Sequence, residues 1–269
     1  MNIGIVTISF NQAGYLTEAI ESVQLADPQR LEYVIVDAGS TDGSRAIIER
    51  NRRRFSSIIL EPDQGPADGL NKGFAATTAD ILGYLNSDDR FAPGALDFIL
   101  RYFEEHPEID VLCGAIRIID ESGAHSVRRR MPDKLDLRRY AYETCFFWQQ
   151  ATFFRREAFL KTGGFNAASK TTWDGELVVD MALANCTFGY TNSILGDFRI
   201  YSDSITGSGR LSEALRRDRA HMRAKILESG IPPASGVEVR LMKALYKFNF
   251  RRHWSYLFEC EELAPEAHG

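Results

Sequence analysis

From its first residues the chain alternates short apolar runs with stretches of helical spacing, and the runs fall at 3–8, 31–37, 57–61, 80–85 and 110–119. Parallel strands cannot be joined by a hairpin and need a crossover, so this order predicts a parallel sheet flanked by helices. Tyr15, Leu16, Ala19, Ile20 and Val23 keep the i, i+3/i+4 spacing of a helix buried along one face, as do Ala46, Ile47 and the stem of Arg50. Ser40-Thr41-Asp42-Gly43-Ser44 supplies capping groups for the second helix; Pro93 opens, and Pro107 follows, the one carrying Leu96, Phe98, Ile99 and Phe103. From about 145 to 200 the pattern loosens into a strand near 150–155, a helix at 156–162, a Gly163-Gly164 turn, a helix near 174–184 and a strand near 187–199. A turn-rich segment at 202–210 then leads into a helical tail.

Composition closes off several function classes. A chain of 269 residues, 44% hydrophobic and 26% charged, has the make-up of a globule of one to two domains. Its net charge of −5 offers no general attraction for a phosphate backbone, so no nucleic acid partner is expected. Cys113, Cys145, Cys186 and Cys260 lie too far apart for a CxxC site and read as buried thiols of a reducing compartment. Residues 3–8 read as a strand rather than a secretion signal, and no run reaches the ~20 apolar residues that span a bilayer. The expected location is the cytoplasm, at the inner face of the membrane if something tethers the chain there.

In open α/β sheets ligands bind beyond the carboxyl ends of the strands. Here those positions are polar: Ser9-Phe10-Asn11, Asp37, Glu61-Pro62-Asp63-Gln64-Gly65 and Asn86-Ser87-Asp88-Asp89. Asp88 and Asp89 are adjacent carboxylates on a tight turn. They either cap the following helix or share a hard divalent cation, Mg²⁺ or Mn²⁺, whose open positions suit a diphosphate. The chain has no GxGxxG after its first strand, no GxxxxGK[ST] and no GxSxG, which removes the motifs of dinucleotide binding, of NTPases and of serine hydrolases. A metal-assisted transfer remains.

The ordered set Val6-Thr7-Ile8-Ser9-Phe10-Asn11, Val36-Asp37-Ala38-Gly39-Ser40-Thr41-Asp42-Gly43, Asp63-Gln64-Gly65-Pro66-Ala67-Asp68-Gly69-Leu70-Asn71-Lys72-Gly73 and Gly83-Tyr84-Leu85-Asn86-Ser87-Asp88-Asp89 resembles the family 2 glycosyltransferases with the GT-A fold. Gln150-Ala151-Thr152-Phe153-Phe154-Arg155-Arg156, Gly163-Gly164-Phe165-Asn166 and Trp173-Asp174-Gly175-Glu176-Leu177 continue the resemblance, which covers roughly residues 1–206. It implies an α/β fold, a GT-A type Rossmann-like three-layer sandwich with a mostly parallel central sheet. The catalytic domain would occupy 1–206, with a donor half at 1–120 and an acceptor half at 121–206, and a helical C-terminal extension would follow at 207–269.

By the same resemblance the chain is an inverting, metal-dependent glycosyltransferase of hexosyltransferase type. It would move a sugar from a UDP-linked donor to a hydroxyl of a saccharide or lipid-linked saccharide in bacterial polysaccharide or glycan assembly. Asp37 would accept the N3–H of a uracil-type base or else anchor its own turn; Thr7, Ser9 and Phe10 would line the nucleotide pocket. Asp68, Lys72 and Ser87 would serve the donor, although Lys72 reads equally as a solvated helix charge. Asp88, aided by Asp89, would hold the Mn²⁺ or Mg²⁺ of the DxD region, and Asp174 would be the general base. Trp173 and Glu176 would meet the acceptor, with Glu176 the fallback base; Trp173 and Trp148 read equally as core or as sugar-stacking rings.

Three positions depart from the pattern of the family it resembles: Asn86 at the first place of the DxD, Tyr201 where many relatives carry a histidine, and Asp180 where they often carry an arginine. Two rival readings stay open, a nucleotidyltransferase acting on a sugar phosphate and a degenerate sugar-nucleotide-binding protein. In the tail, Arg240, Lys243, Lys247 and Arg251 form one stripe of a helix that also carries Leu241, Leu245, Tyr246, Phe248, Phe250 and Trp254. Residues 237–258 therefore either pack on the catalytic domain or touch an anionic membrane surface.

Overall fold

A computed structural model describes residues 1–202, 211–248 and 263. Among these residues nine strands run β1 (Ile3–Ser9), β2 (Leu31–Asp37), β3 (Ser57–Ile59), β4 (Ile81–Asn86), β5 (Arg90–Phe91), β6 (Val111–Ile119), β7 (His125–Arg130), β8 (Thr152–Arg155) and β9 (Phe188–Arg199). The α-helices are α1 (Ala13–Ser22), α2 (Ser44–Arg50), α3 (Pro66–Ala75), α4 (Ala95–Glu105), α5 (Leu137–Ala141), α6 (Arg156–Thr162), α7 (Trp173–Leu183), α8 (Ser212–Glu228) and α9 (Gly236–Lys247). The elements expected up to residue 199 are present, with β3 ending at Ile59, α4 starting at Ala95 rather than at Pro93, and a 3₁₀ turn at Gln149–Ala151 leading into β8. Sequence spacing does not disclose β5, β7 or α5.

All nine strands form one sheet in the order β3-β2-β1-β4-β8-β6-β9-β5, with β7 beside β6. The pairs among β3, β2, β1 and β4 are parallel, as expected from their crossovers, and so is β6–β9; β8, β7 and β5 enter antiparallel. The parallel character thus belongs to the amino-terminal part, and the carboxyl-terminal part is mixed. Register sets Ser9 against Asp37 and Ile8 against Asn86, so three chain segments end side by side at one edge.

Strand alternation feeds two cores. Ile3, Ile5, Tyr33, Ile35, Ile81 and Leu85 face α1, α2 and α4, whereas Val6, Val34, Val36, Leu82 and Tyr84 face α3, α6 and α7. This is the three-layer arrangement. Helix α3 lies so close to β1 that a Cβ on Gly73 would overlap Val6, and this approach requires glycine. On the same face Phe74 packs with Tyr84, Phe154, Phe159 and Phe165 at centroid distances of 5.0–6.3 Å. Cys113, Cys145 and Cys186 are buried free thiols, and burial pushes the first two up to about 12 and about 11; Cys260 lies outside the described residues.

The helical tail does not stand apart. Met222 and Ile226 of α8 share a small core with Val179 of α7 and with Leu137, Tyr140 and Ala141. Helix α9 opens with a capping box between Ser235 and Glu238. The boundary segment at 203–210 and the tail residues Phe250, Arg251 and Trp254 lie outside the described residues. Among the described residues no helix is long and apolar enough to cross a membrane.

Candidate active site

The loops after β1, β2 and β4 meet the β9 end in a cavity of about 640 Å³. Ser9, Phe10, Ala38, Asp63, Asp88 and Asp89 are among its lining residues. Phe10 is 60% exposed there, an open ring that a base can cover, and the buried Ser9 hydroxyl has no hydrogen-bond partner among the described residues. An orphaned buried hydroxyl costs stability unless something occupies it, so Ser9 points to a polar ligand.

Asp37 lies at the strand end as expected but faces inward. Its carboxylate accepts from the Gly39 and Ser40 amides, the Ser40 hydroxyl and Arg45 Nε at 2.9 Å. Burial pushes its pKa up, but these donors more than offset it and hold Asp37 below the ordinary carboxylate value. The side chain closes the Asp37–Ser40 turn and presents Ala38 to the cavity. Thr7 is likewise buried, bonded to the Tyr33 hydroxyl at 3.0 Å, and does not line the cavity. Asp68 accepts from the Gln64 amide and pairs with Lys72 at 3.3 Å, and Lys72 donates to the Pro62 carbonyl. Both brace the loop that holds Asp63 rather than lining the cavity. Asp63 does line it, and burial raises its pKa.

The Asp88–Asp89 turn is clamped from distant parts of the chain. Asp89 is 1% exposed and accepts from the Arg199 amide at 2.9 Å, Gln150 Nε2 at 2.7 Å and, weakly, Asn86 Nδ2. Burial and the neighbouring Asp88 charge push its carboxyl well above the ordinary value, and burial raises Asp88 as well. Asp88 accepts from the Tyr201 hydroxyl at 3.1 Å; Tyr201 in turn accepts from Gln12, whose oxygen takes the Ser87 hydroxyl. Ser87 thus braces the turn from beneath and does not line the cavity. Arg199, with a fully buried side chain, donates to the carbonyls of Asp88, Asp120 and Glu121 and pairs with Glu18 at 2.8 Å. Sequence spacing carries no signal for Gln12, Gln150 or Arg199, whose partners here are 61 to 181 residues away.

Two adjacent carboxylates with raised pKa values suit a divalent cation, but the pair is not symmetric. Asp89 is almost fully buried with both oxygens engaged, whereas Asp88 is only half-buried, so Asp88 is the carboxylate open to a ligand. No cluster of three or more His, Cys, Asp or Glu side chains able to hold a metal occurs among the described residues. The donor set fits a cation that takes one carboxylate from the protein and the rest from phosphate and water, the habit of Mg²⁺.

A second cavity of about 380 Å³ adjoins the first and shares Asn86, Trp173 and Phe198 with it. Asp174 lines it from the first turn of α7, where the helix dipole favours a carboxylate. The Asp174 carboxylate accepts from the Gly175 amide at 2.8 Å, and burial raises its pKa, which makes it a better proton acceptor than an exposed aspartate. The Thr172 hydroxyl beside it has no partner among the described residues. Trp173 is buried against Tyr84 and Phe165, each at 5.6 Å, with one edge on both cavities; Trp148 lines the second cavity and donates to the Met131 carbonyl.

Glu176 is not brought to either cavity. Two residues on from Asp174, it points to the other side of α7, where it accepts from Asn166 at 3.1 Å and Lys225 of α8 at 2.9 Å. Lys225 also pairs with Asp180 at 2.6 Å, so the position of the third departure serves the contact with α8. Asp218 of α8 accepts from the Lys170 and Thr171 amides and the Thr171 hydroxyl, which ties down the approach to α7.

Residues 4–163 match the model of glycosyl transferase family 2. An uncharacterized glycosyltransferase of Nostoc sp. is 32% identical over 131 residues, 45% of this chain and 41% of that protein. The minor teichoic acid biosynthesis protein GgaA of Bacillus subtilis is 26% identical over 186 residues, 65% of this chain and 41% of its own length. The chain thus spans about two fifths of either relative. Among solved structures, S. aureus TarS residues 1–349 in complex with UDP-GlcNAc superposes with a TM-score of 0.65 at 17% identity, covering 95% of this chain and 73% of that one. The mannosyltransferase PcManGT from Pyrobaculum calidifontis, in complex with GDP-Man and Mn²⁺, superposes with a TM-score of 0.59 at 16% identity, covering 95% and 83%. At such identities the two structures show a shared fold.

Proposed function

The chain belongs to glycosyl transferase family 2, and on that premise we propose that it transfers a sugar from a UDP-linked donor to an acceptor hydroxyl with inversion, in the assembly of a bacterial polysaccharide or glycan. The carrying observation is the meeting of two cavities at Asn86, Trp173 and Phe198, with Asp88 and Asp89 in one and Asp174 in the other. That arrangement suits a diphosphate on one side and a nucleophile with its base on the other. A relative in teichoic acid biosynthesis and a shared fold with a UDP-GlcNAc complex favour this substrate class.

In this reading the base covers Phe10 and Ser9 donates or accepts at the nucleotide. Asp63, facing the cavity, replaces the inward-turned Asp37 as the carboxylate for a base N–H. Held by Asp88, Mn²⁺ or Mg²⁺ would neutralise the diphosphate charge that grows as the leaving group departs. Asp89, Gln12, Tyr201 and Arg199 keep Asp88 in place. Asp174 takes the proton of the acceptor hydroxyl; the new bond forms at the anomeric carbon as its bond to the diphosphate oxygen breaks with both electrons, and one displacement inverts that centre. The acceptor, a saccharide or lipid-linked saccharide, lies along Trp148 and Trp173, and Thr172 offers it a free hydroxyl. Glu176 serves the α7–α8 contact instead of the acceptor.

The test is a thermal-shift panel of UDP, GDP, CDP and dTDP, with Mn²⁺ or chelator, on wild type, Asp88→Ala and Asp174→Asn. A ligand at a hundredfold its Kd adds ~2.7 kcal/mol of stability. UDP is expected to stabilise wild type and Asp174→Asn in the presence of Mn²⁺ and to lose most of that effect in Asp88→Ala. Asp174→Asn is expected to lose turnover, read as nucleoside diphosphate release, by about 10²–10⁴-fold. If no diphosphate stabilises the protein, or if Asp174→Asn turns over normally, the assignment fails.

A further inference from the structure

Helix α9 and its C-cap Phe248 carry an apolar stripe that belongs to no apolar core among the described residues. Val237, Leu241, Leu245 and Phe248, spaced four, four and three residues apart, lie on one face and are 75%, 57%, 64% and 63% exposed. Their alignment is not the result of a loosely placed helix. The capping box fixes its start, Arg138 bonds Glu238 and the Pro232 and Pro233 carbonyls, the Ala234 amide donates to the Tyr142 hydroxyl, and the Tyr246 ring lies 5.3 Å from Phe146. The helix is therefore held with its Glu238–Tyr246 side on the body and its apolar stripe outward.

Arg240, Lys243 and Lys247 are exposed along one flank of that stripe, and the helix's one acidic side chain, Glu238, is engaged by Arg138. An apolar partner surface would account for the stripe but not for the cations beside it. A bilayer with anionic headgroups accounts for both, because the apolar side chains enter the headgroup–acyl boundary while the cations stay at the phosphate level. We propose that α9 docks this chain on an anionic lipid surface through Val237, Leu241, Leu245 and Phe248, with Arg240, Lys243 and Lys247 supplying the charge. A consequence, which rests on the glycosyltransferase reading, concerns the acceptor. Phe146 packs on α9 and also lines the cavity of Asp174, so docking brings that cavity near the lipid surface and favours an acceptor anchored in it.

The experiment is co-sedimentation of the full chain with vesicles of phosphatidylglycerol and phosphatidylcholine, against phosphatidylcholine alone, at low and high salt. At ~1 kcal/mol per cation near the surface, three cations give roughly a hundredfold preference for the anionic vesicles at low salt. Leu241→Glu/Leu245→Glu is expected to lower partitioning at least tenfold, and Arg240→Gln/Lys243→Gln/Lys247→Gln to remove most of the anionic preference. Both variants alter exposed side chains only, and their thermal shift with a nucleoside diphosphate should match wild type, which separates docking from the transfer chemistry. Absence of sedimentation at low salt, or equal partitioning of wild type and Leu241→Glu/Leu245→Glu, overturns the proposal. So does a dimer in sedimentation velocity that Leu241→Glu/Leu245→Glu abolishes, since a second copy would then cover the stripe.

Discussion

Replacing Asp218 tests whether the carboxyl-terminal helices belong to the catalytic machinery. Asp218 lies on α8, is 7% exposed, and one of its oxygens takes the Lys170 amide at 2.9 Å, the Thr171 amide at 3.0 Å and the Thr171 hydroxyl at 2.8 Å. Hydrogen bonds to a charged group contribute about 1.5–3 kcal/mol each, so three bound the loss in Asp218→Ala at about 4.5–9 kcal/mol. Residues 170–172 reach the second cavity, and water there will replace part of what is removed. The expected loss is about 2–4 kcal/mol in Asp218→Ala and about half that in Asp218→Asn, which keeps a carbonyl acceptor. Urea unfolding at constant m-value measures it. Because these residues lead directly into Trp173 and Asp174, turnover in the folded variant should fall while nucleoside diphosphate affinity in the first cavity stays within about twofold, a split well below a 1.4 kcal/mol effect on binding. A stability loss under about 0.5 kcal/mol, which is the scatter of a surface change, or equal losses of turnover and nucleotide affinity, would refute the role given to α8.

Three further outcomes follow from burial and close packing. Burial raises the Asp174 pKa, and a base must be ionised, so turnover should fall with decreasing pH through a value above the ordinary carboxylate range; Asp174→Asn should lose that limb. The same raised value favours the protonated form in the fold, a stability contribution present below the unfolded pKa and lost as pH rises through the folded one, so Asp174→Asn should unfold no more readily than wild type at pH 8. Gly73→Ala forces a methyl onto Val6 between α3 and β1 and should cost about 1–3 kcal/mol in denaturant unfolding; a cost below about 0.5 kcal/mol would mean that α3 sits farther from the sheet.

Much of the fold is written in local periodicity. The apolar runs of β1, β2 and β4 and the helical spacing of α1 and α2 announce parallel crossovers, and the Gly163-Gly164 turn is marked by two residues at positive φ. Where the strands end also gives the edge at which the first cavity opens, lined by Asp88 and Asp89, while Asp174 reaches the second cavity from the first turn of α7. Which way each side chain faces is a different matter. Asp37 ends one strand and Asp63 follows another, yet Asp37 is drawn into its own turn by Ser40 and Arg45 while Asp63 faces the cavity. Asp174 and Glu176 share one helix turn, and it is the docking of Lys225 from α8 that settles Glu176 on the far side. Two-residue β5 has no periodicity to read and exists because Phe91 pairs with Gly196, 105 residues on. The Asp88–Asp89 turn is likewise completed by Gln12, Gln150, Arg199 and Tyr201, brought from both ends of the chain. Spacing along a strand or helix depends on neighbours in sequence and can be read from sequence alone. A carboxylate's burial, partners and basicity depend on groups that only the packed sheet and helices bring within reach, and those were decided by the tertiary structure.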